Sequence, residues 1–335
     1  GTLGAAALAS VLEKCQMLHT LCLQRTGLGD AGVSSLATGL TAPCLLTKLN
    51  LRGNYIGHTG SVPLARVLRM CTSLTDVCLS QNSIGKLGAQ QVATGFAGLS
   101  CLKHLELSDC DLCSESAEHL AIALGGCSLL TSLNLSTNKI SSMGSTALGG
   151  VLHRCRCLRT LKLNNNQICG KSAIALAAGL ETSTALQLLN LSNNSLGDDG
   201  VKVLATKLKP GALTHLDLSN CNLGAEGAKD IAHLLAECGS LRQLYFSNNR
   251  IGEEGAVYLA PGLGACTALE CLYLNHCEIQ DAGAESIAQA LAGCESLRKL
   301  SLCYCNLGAE GARSLKRALA GSTALQMLRM SENGT

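Results

Sequence analysis

Leu46-Thr47-Lys48-Leu49-Asn50-Leu51-Arg52-Gly53-Asn54-Tyr55-Ile56 decides the architecture of this chain. Its skeleton, Leu-x-x-Leu-x-Leu-x-x-Asn-x-Ile, returns with like-for-like replacements from Leu74, Leu102, Leu130, Leu158, Leu186, Leu213, Leu241, Leu269, Leu297 and Leu325, and an earlier copy starts at Leu18. The twelve copies are 28 residues apart, save one step of 27 between Leu186 and Leu213. A fixed period of this size marks a stacked solenoid, in which each repeat covers its apolar face with its neighbours. Length alone would suggest two or more domains. No stretch is free of the repeat, however, so residues 1–335 read as a single domain.

Hydrophobic residues make up 47% of the chain, yet aromatics only 2% and Trp is absent, so Leu, Ala and Val must form the core. Each fully buried Leu or Ile contributes roughly 1.5–3 kcal/mol, and every repeat supplies several. The 26 basic and 24 acidic residues nearly balance. A nucleic-acid binder would normally carry a basic stripe, so no nucleic-acid partner is expected. No apolar run approaches the roughly 20 residues that span a bilayer, and the first residues do not read as a signal peptide.

Twenty cysteines recur at fixed places. Cys15, Cys71, Cys127, Cys155, Cys238, Cys266 and Cys294 each precede the first Leu of a repeat by three residues, and Cys110, Cys221, Cys277 and Cys305 replace the repeat Asn. Recurrence of this kind suits a small buried hydrophobe. The thiols are therefore expected to be reduced and the compartment cytoplasmic. On that reading the sequons at Asn134, Asn190, Asn193 and Asn333 are chance matches.

In Leu130-Thr131-Ser132-Leu133-Asn134-Leu135 the alternation sends Leu133 and Leu135 inward and Ser132 and Asn134 outward. Asn138 follows where the chain leaves the strand. Its amide has a donor and an acceptor for backbone groups that the turn leaves unpaired, and a Cys there substitutes less well. The return segment, such as Gly197 to Leu208, spaces apolar residues at i, i+4 and i+8 and reads as an amphipathic helix. Strands lie about 4.8 Å apart but helices about 8–10 Å, which assigns helices to the longer outer arc. The expected fold is an α/β solenoid horseshoe, with a concave parallel β-sheet and α-helices on the convex side.

This strand-plus-helix unit resembles the ribonuclease-inhibitor-like class of leucine-rich repeats over essentially the whole chain. Within that class, ribonuclease inhibitors alternate repeats of 28 and 29 residues and are strongly acidic, and Ran GTPase-activating proteins usually carry an acidic tail. The uniform period and the Ile251-Gly-x-x-Gly-Ala256 signature are most similar to the sensor region of NOD-like receptors of innate immunity. The resemblance implies a non-enzymatic recognition or regulatory domain. The alternative it leaves open is a free-standing inhibitor or GTPase regulator, for which Arg25 and Arg52 would be the exposed arginines. The chain starts inside a helix segment and stops part-way through a repeat, so it is expected to be a fragment of a larger protein with other domains.

Motifs for chemistry fail on context. Gly27-Leu-Gly29-Asp-Ala-Gly32 matches a dinucleotide fingerprint in letters, but Gly29 and Gly32 are ordinary repeat glycines. Gly170-Lys171-Ser172 lacks the P-loop's first Gly, with Asn165 in its place. The thiol pairs Cys110/Cys113, Cys155/Cys157 and Cys303/Cys305 do not supply the four convergent ligands of a zinc site. Asp76, His104, Glu106 and Asp109 are the one acid–His group expected on the sheet's outer face, and they lack a nucleophile. No catalytic residue, cofactor or metal is assigned.

A protein or peptide partner is expected on the concave face. Its middle is bland (Ser132, Asn134, Thr137, Thr160, Asn165, Asn190, Asn193), whereas its C-terminal part carries Gln243, Tyr245, Tyr273, His276, Lys299, Tyr304 and Arg329. Tyr and Arg are enriched at binding hot spots. Three of the five tyrosines fall there, on three successive repeats, and could equally stack on one another as a neutral ladder.

Overall fold

A computed structural model describes residues 1–40, 44–208, 211–292 and 294–334. It resolves into two compact units, Gly1–Gln167 and Ile168–Thr335. Each alternates three-residue strands with helices. In the first unit these are α1 (Thr2–Leu12), β1 (Thr20–Cys22), α2 (Gly29–Gly39), β2 (Lys48–Asn50), α3 (His58–Met70), β3 (Asp76–Cys78), α4 (Gly85–Phe96), β4 (His104–Glu106), α5 (Ser114–Leu124), β5 (Ser132–Asn134), α6 (Ser142–Leu152) and β6 (Thr160–Lys162). The second holds α7 (Gly170–Leu180), β7 (Leu188–Asn190), α8 (Gly197–Lys207), β8 (His215–Asp217), α9 (Ala225–Glu237), β9 (Gln243–Tyr245), α10 (Gly252–Ala265), β10 (Cys271–Tyr273), α11 (Gln280–Leu291), β11 (Lys299–Ser301), α12 (Ala309–Leu319) and β12 (Met327–Arg329). Within each unit, strands pair in parallel with their sequence neighbours, each residue against its repeat equivalent: Leu21↔Leu49, Leu105↔Leu133, Leu244↔Leu272. The short repeat keeps this register, since Leu189 pairs with Leu216. No described helix is long and apolar enough to cross a membrane.

The core follows the alternation. Leu130, Leu133, Leu135 and Ile140 are all sealed from solvent, as are the helix residues Leu120 and Leu148 of the same unit. Parallel strands of three residues leave many turn groups to satisfy, and the repeat Asn does so. Asn138 Nδ2 donates to the Leu107 and Leu135 carbonyls, both at 2.9 Å, while its Oδ1 accepts from Cys110 N–H and Leu112 N–H, both at 3.0 Å. Each such Asn therefore ties its own turn to the turn before it. Asn54, Asn82, Asn249 and Asn333 repeat the pattern. Where Cys stands instead, the thiol keeps the long contact: Cys110 Sγ donates to Leu79 O at 3.2 Å and Cys305 Sγ to Leu274 O at 2.9 Å. Burial pushes the Cys110 pKa up to about 12, so this ladder is one of neutral thiols.

The residue just before the ladder position is left-handed in all twelve repeats, with φ between 53° and 64°, and only at Gly53 is it glycine. A side chain normally disfavours this conformation, most of all a β-branched one such as Thr137. It is the bend by which the chain leaves the strand.

Helix starts are coupled between repeats. Asp30 Oδ1 accepts from Gly57 N–H at 2.6 Å, Asp198 Oδ1 from Gly224 N–H at 2.8 Å, and Asp281 Oδ1 from Gly308 N–H at 2.6 Å. An acid in the first turn of one helix thus caps the next helix, and the Gly-x-x-Gly spacing gives it room. A Cβ on Gly60, Gly227 or Gly311 would meet that carboxylate at 2.3, 2.4 and 2.6 Å.

One expectation is overturned. Cys71 does not stay a free thiol but forms a disulfide with Cys44, their Cα atoms 4.9 Å apart. Cys44 sits two residues before Leu46 and Cys71 three before Leu74, and this offset points the two sulfurs at each other. In-register pairs such as Cys277 and Cys305 remain unbridged.

Candidate partner-binding face

The seven residues singled out on the strand face all lie in the second unit, and the structure sorts them into groups. Tyr245 ends β9 and Tyr273 ends β10 in direct register. Their rings stack with centroids 4.7 Å apart and planes 4° from parallel. The Tyr245 hydroxyl donates to Gln243 Oε1 at 2.9 Å, fixing the ring from below. Burial, then the neighbouring Tyr273, pushes the Tyr245 hydroxyl above its usual pKa, so it stays a neutral donor.

Tyr304 does not extend that stack. It occupies the left-handed position of its repeat, φ 56°, as His276 does one repeat earlier, φ 55°. These two rings form a second stack, 4.3 Å between centroids and 9° between planes. A single ladder of three tyrosines is therefore replaced by two pairs on parallel columns. The physical reason is the pleat: Tyr273 and Tyr304 hold different places within the repeat, so register cannot superpose them.

His276, Tyr304 and Arg329 come together with residues that sequence reasoning did not assign to this face, Cys303 having been weighed there only as half of a thiol pair. With Asn275, Ser301, Cys303 and Ser331 they line an open cavity of about 650 Å³. Ser301 Oγ donates to Asn275 Oδ1 at 2.7 Å, and Ser331 Oγ donates to Cys303 Sγ at 3.2 Å. Partial burial alone would raise the Cys303 pKa, but hydrogen bonds from Ser331 and Ser301 and the charge of Arg329 outweigh it and hold the thiol below its usual value. Cys303 stands where the other repeats from Leu74 onward carry Ser or Asn, and that departure was the available signal. Lys299 stands apart, exposed at the start of β11 opposite Cys271.

The acid–His group belongs to the first unit. Asp76, Cys78, His104 and Glu106 border a second open cavity, about 410 Å³, with Lys48 and Asn50. Asp76 and His104 are register partners. The carboxylates are engaged elsewhere, however: Asp76 Oδ2 accepts from Thr75 Oγ1–H and Glu106 Oε2 from Asn134 Nδ2–H, each at 2.6 Å. Asp109 lies beyond this cavity's lining. Arg25 and Arg52 both donate to Gln81 Oε1, at 3.4 and 3.0 Å, and are tethered side by side. Among the described residues, no three His, Cys, Asp or Glu side chains are placed to hold one metal ion.

Comparison with known proteins agrees with this geometry. The family model described as Leucine Rich repeat matches residues 14–37, 98–121, 126–149, 154–177, 182–205, 213–232, 237–260, 265–288 and 293–316, more than half of the chain. No curated protein sequence matches it. Among solved structures, an internalin (inlF) from Listeria monocytogenes shares the fold with a TM-score of 0.57 at 19% identity, over 98% of this chain and 93% of that one. With its twelve strand-and-helix repeats, this chain belongs to the leucine-rich-repeat family.

Proposed function

We propose that this chain is a non-enzymatic recognition domain that binds a protein or peptide on the exposed strand face of β9 to β12. One observation carries the reading: two stacked ring pairs, Tyr245/Tyr273 and His276/Tyr304, stand on that face beside an open cavity. Phe, Trp and Tyr together make up only 2% of the chain and three of its five tyrosines stand here, so their concentration is not a by-product of core composition. Stacked rings present large area already fixed in place, which lowers the entropy cost of binding. The repeat style supports a sensor or regulatory segment of the NOD-like-receptor kind, within a longer protein. A GTPase-regulator role is less well supported, because Arg25 and Arg52 are tethered to Gln81. The eighteen free cysteines support a cytoplasmic setting, with the Cys44–Cys71 bridge as the feature that does not.

The test is a triple variant, Tyr245→Ala, Tyr273→Ala and Tyr304→Ala, compared with a control carrying Ser132→Ala, Thr160→Ala and Asn190→Ala. The tyrosine variant should keep its thermal unfolding midpoint within a few degrees and lose several kcal/mol of affinity for partners captured from lysate, since hot-spot truncations cost about 2 kcal/mol or more each. Normal capture by the folded tyrosine variant would place recognition elsewhere.

A further inference from the structure

We propose that Arg25 and Arg52 form a paired-guanidinium site for a phosphate monoester dianion, with Gln81 Oε1 marking the place of one of its oxygens. The site lies in the first unit and stands or falls independently of the recognition face on β9 to β12.

Arg25 Nη2 and Arg52 Nε both donate to Gln81 Oε1, at 3.4 and 3.0 Å. The two legs hold the nitrogens within about 6.4 Å of each other, where two full cations repel. An anionic oxygen between them would offset that repulsion; the neutral amide oxygen of Gln81 offsets little of it. Neither arginine has an ion-pair partner among the described residues, and Asp109, which follows Gln81 at the same place in the next repeat, pairs with neither. Each guanidinium spends one of its five N–H donors on Gln81 and keeps the rest for a ligand. The tether that keeps either arginine from reaching out alone thus holds the two together.

A glycine builds this arrangement. Arg25, Gly53 and Gln81 hold the left-handed position of three successive repeats, with φ 54°, 64° and 59°. The bond from Arg25 to Gln81 skips a repeat, spans 56 residues of sequence and has to cross Gly53. A Cβ on Gly53 would lie 3.1 Å from Arg25 Cγ, tighter than ordinary contact, so the Arg25 chain would have to shift. Asn165, Asn193, Asn220 and Asn248 make the same bend with a side chain, so the backbone does not require glycine there. The passage of Arg25 does.

Charge selects the ligand. A carboxylate carries one charge, which a single guanidinium fork already matches, and would leave the second arginine uncompensated. A phosphate monoester carries about 1.5–2 charges at neutral pH and three acceptor oxygens, enough to engage both. A phosphodiester fits less well, because it brings one charge per phosphate and the chain's near balance of charge provides no track for a run of them.

Fluorescence anisotropy of a labelled phosphoserine peptide, otherwise Gly and Ala, tests the site against the same peptide with Ser or Glu in that place. Inorganic phosphate serves as competitor and an oligouridylate of equal length as a further ligand. The phosphopeptide should bind at least tenfold tighter than the Ser and Glu forms, and more weakly as salt rises. Inorganic phosphate should displace it; equal affinities assign the site to the free ion, and a tighter peptide assigns it to a phosphorylated partner. Arg25→Gln and Arg52→Gln should each weaken binding at least fivefold, whereas Arg156→Gln, which removes the same charge elsewhere in the unit, should not. Gly53→Asn keeps both charges and should also weaken binding at least fivefold. Thermal unfolding should be unchanged in the arginine variants, which decide the matter should Gly53→Asn unfold early. The tyrosine triple variant should bind the phosphopeptide normally. Equal binding of the phosphoserine and Glu peptides, tighter binding of the oligouridylate, an equal loss with Arg156→Gln, or full affinity in a folded Gly53→Asn protein would overturn the proposal.

Discussion

Asp281 Oδ1 accepts hydrogen bonds from Gly308 N–H at 2.6 Å and Gly311 N–H at 2.9 Å, so the helix of one repeat starts on a carboxylate supplied by the repeat before. Loss of an N-cap acceptor costs about 0.5–2 kcal/mol, and Asp281→Ala should fall in that range. Gly311→Ala should also destabilise, since its Cβ would meet the Asp281 carboxylate at 2.6 Å. In the double variant the clash with the carboxylate is relieved. A double-mutant cycle by urea unfolding should therefore give a combined cost below the sum of the two, and strict additivity would show that the residues are not coupled.

The same contact makes one end of the chain sensitive to acid. Burial would raise the Asp30 pKa, but hydrogen bonds from Thr59 Oγ1–H and the Gly57 and Gly60 N–H groups outweigh it and hold the carboxyl below its usual value. A depressed carboxylate contributes stability that is present above its unfolded pKa, about 3.9, and is lost as pH falls through the lower folded value. Between pH 5 and 3 the wild type should lose more stability than Asp30→Asn, measured as the shift in urea midpoint. Parallel curves would mean that the cap does not titrate.

Asn166 and Asn165 are adjacent but differ in role. Asn166 is 2% exposed, and its amide bonds Leu135 O, Leu163 O and Ile140 N–H. Asn166→Ala strands these groups and should cost about 1–3 kcal/mol. Asn165 faces solvent at φ 57°, so Ala there loses only conformational preference, about 1 kcal/mol. At the equivalent place, Thr137→Asn should raise stability by about 0.5–1 kcal/mol, because a β-branched residue is least suited to φ 56°. Chemical unfolding of the three variants checks the order.

Thiol titration of protein denatured without reductant should find 18 reactive groups, and 20 after reduction, if Cys44 and Cys71 are bridged and the rest free. Closing 27 residues is worth roughly 3.5 kcal/mol in the chain-entropy account, so Cys44→Ala should lower stability by that order. A count of 20 without reductant would show that the bridge does not form.

Much of this protein was determined by the sequence alone. Strand, turn and helix follow from where Leu, Asn and Gly recur, because the groups that interact within a repeat are close along the chain. The solenoid stacks each residue on its own equivalent, so the inward Leu rows and the Asn ladder could be read by adding 28. What the sequence did not decide is how unlike positions meet. Tyr304 pairs with His276 rather than with Tyr273, Asp281 caps a helix 27 residues on, Cys44 reaches Cys71 across an offset, and Cys303 joins Arg329 beside a cavity. These contacts depend on a left-handed bend, a pleat and side-chain directions that a repeat pattern does not encode. They exist only once neighbouring repeats have packed at strand spacing, which is why the tertiary structure had to supply them.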